Sequence, residues 1–164
     1  VDKVFGDKVI HTSVSKKSSH LKHRTDLYII WLYLMATGKD LDCYFNGLGR
    51  EMEIWKSDSM TMIEAKSKLS QLIELYKKGQ DRILPLVPEL GEKTLREISE
   101  REITDTKEVW SKIDEKVNPT FKSDYSFCSE YLSKEHNDGY FEDERVLEEL
   151  IENTIIIYQY LLTK

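Results

Sequence analysis

The sequence predicts a helix-rich α/β (α+β) fold, with a small sheet and hairpin around a buried central helix and a helical C-terminal half. Three observations predict it: an apolar run at Leu27–Ala36 that follows a β-branched segment, an Asn-Gly pair between two short β-prone runs, and apolar residues at helical spacing in the remainder. We expect residues 1–164 to form a single domain from a larger chain, with an α/β part over 1–80 and a helical part over 81–164.

The first elements are a strand and a long helix. Lys8–Val14 is rich in β-branched residues with loose alternation, which predicts a strand. Ser18 or Ser19 can cap the helix that follows, and Gly38 is suited to end it because glycine readily adopts the left-handed conformation. Leu27–Ala36 is apolar on every side, so we expect this helix to be central, buried on most faces, and to keep its aromatic residues in the core.

A hairpin is predicted next. Its arms are Leu41–Phe45 and Glu51–Trp55, and residues 46–49 supply the turn with an Asn-Gly pair. Because side chains alternate along a strand, the second arm should have two distinct faces. One face carries Met52, Ile54 and Lys56, and the other carries Glu51, Glu53 and Trp55.

The remaining elements are mostly helical. The pattern Thr61-x-x-Glu64 forms a capping box that begins a helix predicted to end at Gly79. Two prolines make the next segment extended. The elements predicted after Gly79 are an extended segment Ile83–Glu89, helices Lys93–Glu102 and Thr106–Val117, an irregular stretch Thr120–Gly139 and a final helix Glu142–Leu162.

Composition limits the class of protein. Hydrophobic residues make up 40% and charged residues 33%, as in a folded globular chain. No apolar stretch approaches the roughly 20 residues that span a bilayer, and no secretory signal precedes the first strand, so we expect no membrane partner. Because the chain begins at Val1, we interpret it as part of a longer protein. Cys43 and Cys128 form no CxxC pair, which favours buried or idle thiols in a reducing cytoplasm.

The charge is unevenly distributed. The net charge of −6 argues against a chain that binds nucleic acid over its whole surface. A basic cluster nevertheless spans the predicted strand end and helix start, where backbone N–H groups, hydroxyls and positive charge together suit phosphate. We predict that this cluster contacts nucleic acid or a partner; a solvated helix cap is the alternative. Its residues are Lys16, Lys17, Lys22, His23 and Arg24.

No complete catalytic set is evident, so we predict no catalytic residue, metal site or cofactor. The order strand, helix, hairpin, helix matches a nuclease core that holds metal with an acid on one strand and an acid-x-Lys pair on the next. Here Glu53 and Lys56 are three residues apart, so they should point to opposite faces, with Trp55 in the position of the lysine. A β-bulge could restore the site if it also brought in Asp40 and Asp42, and this alternative stays open.

Several segments, in order and spacing, resemble one family. The strand, serine-lysine turn and helix resemble those near the C-terminal end of the RecC (gamma) chain of exodeoxyribonuclease V. The later helix and proline-rich segment are similar to the same family, and so are the short helix at Val109-Trp110 and the final helix. The segments that carry the main resemblance are Gly6–Lys16, Leu21–Arg24, Trp31–Ala36, Ala65–Gly79 and Leu84–Pro88.

This resemblance implies a restriction-endonuclease-like but degenerate fold, in which residues 1–80 form a PD-(D/E)XK nuclease-like part without catalytic residues. It implies a place in the bacterial RecBCD helicase–nuclease, acting in DNA repair and recombination, with the RecB and RecD subunits and DNA (single strands or a forked end) as partners. Lys16, Lys22 and Arg24 match basic family positions. Two alternatives stay open: a stand-alone helical interaction or regulatory domain, and a metal-dependent nuclease with an irregular site.

Overall fold

A computed structural model of the chain describes residues 2–14, 20–49, 51–86, 95, 106–113 and 139–162. The chain divides into two compact units, Val1–Glu74 and Leu75–Lys164. The predicted helix-rich mixture of strands and helices is confirmed. The described elements are β1 (Asp2–Phe5), β2 (Lys8–Ser13), α1 (His20–Ala36), β3 (Asp42–Gly47), β4 (Glu53–Trp55), α2 (Met62–Asp81), α3 (Thr106–Ile113) and α4 (Glu144–Leu162).

The first unit contains a four-stranded sheet in the order β1-β2-β3-β4. The β1/β2 and β3/β4 pairs are antiparallel, whereas β2 and β3 are parallel and are joined through α1. The predicted strand at β2 and the predicted hairpin arms are therefore confirmed. Strand β1 was not predicted; it turns into β2 at Gly6, whose φ is +57°. The connection between the hairpin arms is also longer than predicted, because the pairing of β3 with β4 begins at Phe45↔Glu53 rather than at Glu51; Asn46 and Gly47 pair with β2 instead.

The core of this unit lies between α1 and one face of the sheet. Strand β2 buries Val9 on that face and β3 buries Cys43, as period-two alternation requires. The rings of Tyr28 and Trp31 on α1 lie 6.1 and 6.0 Å from that of Trp55. Such large, fully buried rings supply much of the apolar area that holds a helix on a sheet. We call this side of the sheet the helix face.

Helix α1 is only partly enclosed. Leu27, Trp31 and Leu32 are buried, as predicted, but Ile29 and Tyr33 are 41% and 59% exposed. The prediction that all its aromatic residues lie in the core is therefore wrong for Tyr33. The physical reason is that α1 packs on the sheet with one side, so a stripe of the opposite side faces away from it.

The C-terminal end of α1 is closed by a glycine, as predicted. Gly38 has a φ of +77°. Its N–H donates to the Met35 carbonyl at 3.1 Å, and the Lys39 N–H donates to the Leu34 carbonyl at 2.9 Å. This pair of bonds is the Schellman motif, which satisfies carbonyls left unpaired at a helix end. The end of α1, and hence the start of β3, is thereby fixed. The predicted caps Ser18 and Ser19 lie outside the described residues.

Helix α2 begins with the predicted capping box. The Thr61 N–H donates to Glu64 Oε2 at 2.8 Å, and the Glu64 N–H donates to Thr61 Oγ1 at 3.2 Å. The prediction that this helix ends at Gly79 is wrong, because α2 continues to Asp81. A glycine disfavours a helix by only about 1 kcal/mol, which the hydrogen bonds of neighbouring turns outweigh.

The second unit contains α3 and α4. The final helix is confirmed and begins at Glu144, after a 3-10 turn at Tyr140–Glu142. Its inward stripe includes Leu147, Leu150 and Leu161. The predicted helix Thr106–Val117 is confirmed over α3, and Leu95 is helical; the remainder of Lys93–Glu102 and nearly all of Thr120–Gly139 lie outside the described residues. No helix in the described ranges combines the length and apolar character needed to cross a membrane.

We expect Gly38→Ala to destabilise the protein and Gly79→Ala to stabilise it. At Gly38 an added Cβ would meet nothing within 4 Å, so the cost is the left-handed backbone alone, about 1 kcal/mol. At Gly79 the backbone is helical and the Cβ would lie in ordinary contact with Leu84, 3.5 Å away, so alanine should add about 0.5–1 kcal/mol. Urea denaturation measures both, and effects of the same sign would contradict this account.

Candidate functional site

Polar side chains cluster on the helix face near the start of α1. His11, Phe45 and Glu53 are neighbours across β2, β3 and β4 by register. The His11 ring stacks on Phe45 with centroids 5.7 Å apart, and the ring of His23 on α1 lies 5.5 Å from that of His11. The N-terminal part of α1 therefore rests on a mixed polar and aromatic row of the sheet.

An ion pair joins α1 to β4 at this row. Arg24 Nε donates to Glu53 Oε2 at 2.8 Å, and the Arg24 side chain is only 6% exposed. A guanidinium removed from water to this degree needs a compensating charge, because desolvation of an unpaired ion costs several kcal/mol. The pair thus holds the first turns of α1 on the hairpin. It also fixes the position at which the chain enters the helix.

The predicted contact residues have different surroundings. Lys22 is exposed on α1, whereas His23 is half-buried beside His11, and Arg24 is buried with Glu53. Lys16 and Lys17 lie outside the described residues. Arg24 therefore has an intramolecular role that the sequence did not reveal. That any of these residues contacts DNA stays a prediction.

The opposite face of the hairpin carries a second ion pair. Lys56 Nζ donates to Asp42 Oδ2 at 2.9 Å, and the Ser57 N–H donates to Asp42 Oδ1 at 2.9 Å. The hydrogen bonds from Lys56 and Ser57 lower the pKa of Asp42, and the Asp42 carboxylate in turn raises the pKa of Lys56. Asp42 is thus held as a carboxylate by groups that follow β4.

The predicted alternation of the second hairpin arm is confirmed. Glu53 and Trp55 lie on the helix face, and Ile54 and Lys56 lie on the other. The pairing Phe45↔Glu53, Tyr44↔Ile54 and Cys43↔Trp55 is continuous, so no β-bulge reverses any of these directions. The carboxylates of Asp42 and Glu53 consequently point to opposite sides of the sheet. The lysine that a nuclease core would place beside the second acid is paired with the first.

Metal ligation requires a different arrangement. Mg²⁺ is bound by oxygen atoms that converge at about 2.0–2.1 Å from the ion. Carboxylates on opposite faces of one sheet do not converge on a shared ion. Within the described ranges, no group of three or more His, Cys, Asp or Glu residues lies close enough together to hold a metal.

The sequence was compared with models of known protein families. The family model described as the RecC C-terminal domain matches residues 1–99, a span that contains the whole sheet, α1 and α2. The chain belongs to the RecC C-terminal domain family. This confirms the resemblance seen in the sequence and identifies the chain as a domain of a subunit of exodeoxyribonuclease V, the RecBCD complex, with a role in DNA repair. No curated protein and no solved structure matches the chain.

We expect Arg24→Met to destabilise the RecC domain by about 2–3 kcal/mol. The change removes the cation and leaves Glu53, whose side chain is 25% exposed, against a largely buried surface. Combining it with Glu53→Met should recover part of the loss, because both charges are then gone. The exposed neighbour Lys22 is the matched control, and Lys22→Met should change the free energy of unfolding by less than about 0.5 kcal/mol. Urea denaturation of the parent chain and these three variants measures the differences. An Arg24→Met effect no larger than that of Lys22→Met would contradict a stabilising role for the Arg24–Glu53 pair.

We also expect the Asp42–Lys56 coupling to depend on pH. Because the folded pKa of Asp42 is lowered, its contribution to stability is present above the unfolded pKa of about 3.9 and is lost as the pH falls through the folded value. The raised pKa of Lys56 keeps its contribution below a pH of about 10.4, and that contribution is lost as the pH rises further. A double-mutant cycle with Asp42→Asn and Lys56→Gln, measured by thermal unfolding from acid to alkaline pH, should show a plateau of the coupling energy at neutral pH. A coupling energy that does not fall as the pH is lowered into the acid range would disagree.

Proposed function

We propose that this domain is a non-catalytic DNA-guiding and subunit-contact module of the RecBCD helicase–nuclease, acting in double-strand break repair and recombination. The observation that carries the proposal is the division of the hairpin acids between two faces. Asp42 is paired with Lys56 on one face and Glu53 with Arg24 on the other. Each acid is therefore engaged with a cation of the fold.

The same division supports a degenerate nuclease-like core. The nuclease core described above cleaves DNA with two metal-binding carboxylates and a lysine on one side of the sheet. In this domain Trp55 occupies the face and spacing where that lysine would lie, and it is buried against Tyr28 and Trp31. The hairpin has become part of the hydrophobic core. A packing role, rather than a catalytic role, accounts for its residues.

The start of α1 is the proposed DNA contact. Lys22 is exposed there, and Lys16 and Lys17 precede the helix in sequence. The Arg24–Glu53 pair holds α1 on the sheet, so the proposed phosphate contacts lie near the N-terminus of a helix whose position is fixed. Single strands or a forked end in the cytoplasm, together with the RecB and RecD subunits, are the proposed partners.

A protein-contact function has support of its own. Ile29 and Tyr33 form an exposed apolar stripe on α1, and such patches often mark protein interfaces. In a RecC domain this stripe suits a subunit contact. The same stripe would equally suit a stand-alone interaction domain, so the stripe does not distinguish the two functions, whereas DNA binding does.

We expect the full 164-residue chain to bind single-stranded DNA weakly and with strong dependence on salt. Replacing Lys16, Lys17 and Lys22 by Gln should weaken binding and reduce the slope of log K against log salt by about 2, since each phosphate contact contributes about 0.7. The charge-matched control replaces Lys66, Lys77 and Lys78, three exposed lysines of α2. Fluorescence anisotropy with a labelled oligothymidylate measures both slopes.

Two outcomes would contradict the proposal. Equal slopes in the two triple variants would remove the DNA contact at α1. Cleavage of linear DNA by the same preparation with Mg²⁺ or Mn²⁺, abolished by Asp42→Asn or Glu53→Gln, would show an active nuclease instead. A folding check by circular dichroism separates loss of activity from loss of structure.

A further inference from the structure

The sheet has a second surface, on the side away from α1. Side chains that alternate with the buried ones point to this side, and register places them in rows across β2, β3 and β4. One row consists of Lys8, Asp42 and Lys56, and the next of Ile10, Tyr44 and Ile54. We call these six residues the open face.

The open face combines a half-buried ring, that of Tyr44, with exposed cations. Ile54 is 40% exposed and the Lys56 side chain is 57% exposed, and Lys8 is exposed as well. Lys8 Nζ lies 5.6 Å from the centroid of the Tyr44 ring. Neighbouring strands are about 5 Å apart, so a cation is available in the strands on both sides of Tyr44.

The two rows of the open face carry a net positive charge. They hold two lysines, Lys8 and Lys56, and one aspartate, Asp42, which is paired with Lys56. The balance of charge therefore favours a polyanion.

We propose that the open face binds single-stranded DNA, with a base stacked on Tyr44 and the flanking phosphates held by Lys8 and Lys56. Aromatic side chains among cations are the general means of holding single strands, because every base offers a flat face and every nucleotide a phosphate. The Lys8 ammonium moves from the ring to a phosphate when a base arrives, exchanging a weak exposed contact for a charge-assisted one. A duplex cannot offer a base to Tyr44 in this way, since its bases are already stacked on one another. The inference rests on the DNA-guiding function proposed above and assigns it a second surface.

The test uses the full chain and a fluorescein-labelled oligothymidylate of about 15 nucleotides, near the upper site size of a single binding module. Tyr44→Leu keeps an apolar side chain but removes the ring, and it should weaken binding about tenfold. Tyr44→Phe keeps the ring and should bind within about twofold of the parent chain. Equal losses in the two variants, or no loss in Tyr44→Leu, would overturn the proposal.

Variants that change only charge supply a second measurement and leave Ile10, Tyr44 and Ile54 unchanged. Lys8→Gln with Lys56→Gln should reduce the salt slope by about 1.4, and the charge-matched pair Lys66→Gln with Lys78→Gln should leave it unchanged. Equal slopes in the two pairs would also overturn the proposal. Binding that is lost with the Lys16, Lys17 and Lys22 substitutions but kept in every open-face variant would reject this surface while the proposed function stands. Unchanged DNA binding, with loss of assembly with the RecB and RecD subunits, would make the open face a protein interface.

Discussion

The register between β3 and β4 is the constraint on which the rest of the first unit depends. Because side chains alternate along a strand, the pairing of Cys43 with Trp55 assigns every hairpin residue to one face or the other. It directs Glu53 toward α1 and leaves Asp42 and Lys56 on the opposite side. A shift of one residue would turn Trp55 into solvent and bury Ile54 in its place, so the hydrophobic core itself enforces the register.

Helix α1 is held at both ends by interactions of different kinds. At its start the Arg24–Glu53 pair connects it to the sheet, and at its end the Gly38 turn satisfies its carbonyls and directs the chain into β3. Between them Tyr28 and Trp31 pack on Trp55. The helix therefore cannot slide or rotate without breaking either an ion pair or an aromatic contact.

Local signals in the sequence predicted the elements well. The β-branched run of β2, the glycine after α1 and the Thr61–Glu64 capping box each act over a few residues, and all three were confirmed. The Arg24–Glu53 pair was not foreseen because it joins residues 29 apart through the sheet register. The sequence places Arg24 and Lys22 in the same basic cluster. Side chains two positions apart on a helix nevertheless point about 200° away from each other, so Lys22 faces water and Arg24 faces the sheet. Strand β1 was not predicted for a similar reason: it is a strand because it pairs with β2, and its own residues carry no clear strand pattern.

The two ion pairs also bear on the proposed binding of DNA by the hairpin. Carboxylates that hold a divalent ion repel phosphate unless that ion is present. Here Glu53 is compensated by Arg24 and Asp42 by Lys56, so each carboxylate is neutralised by a side chain of the same domain. The open face then keeps Lys8 as a cation beside Tyr44. In the proposed function, the distribution of the acids over two faces thus accounts both for a hairpin whose acids do not share a metal ion and for a surface that accepts phosphate.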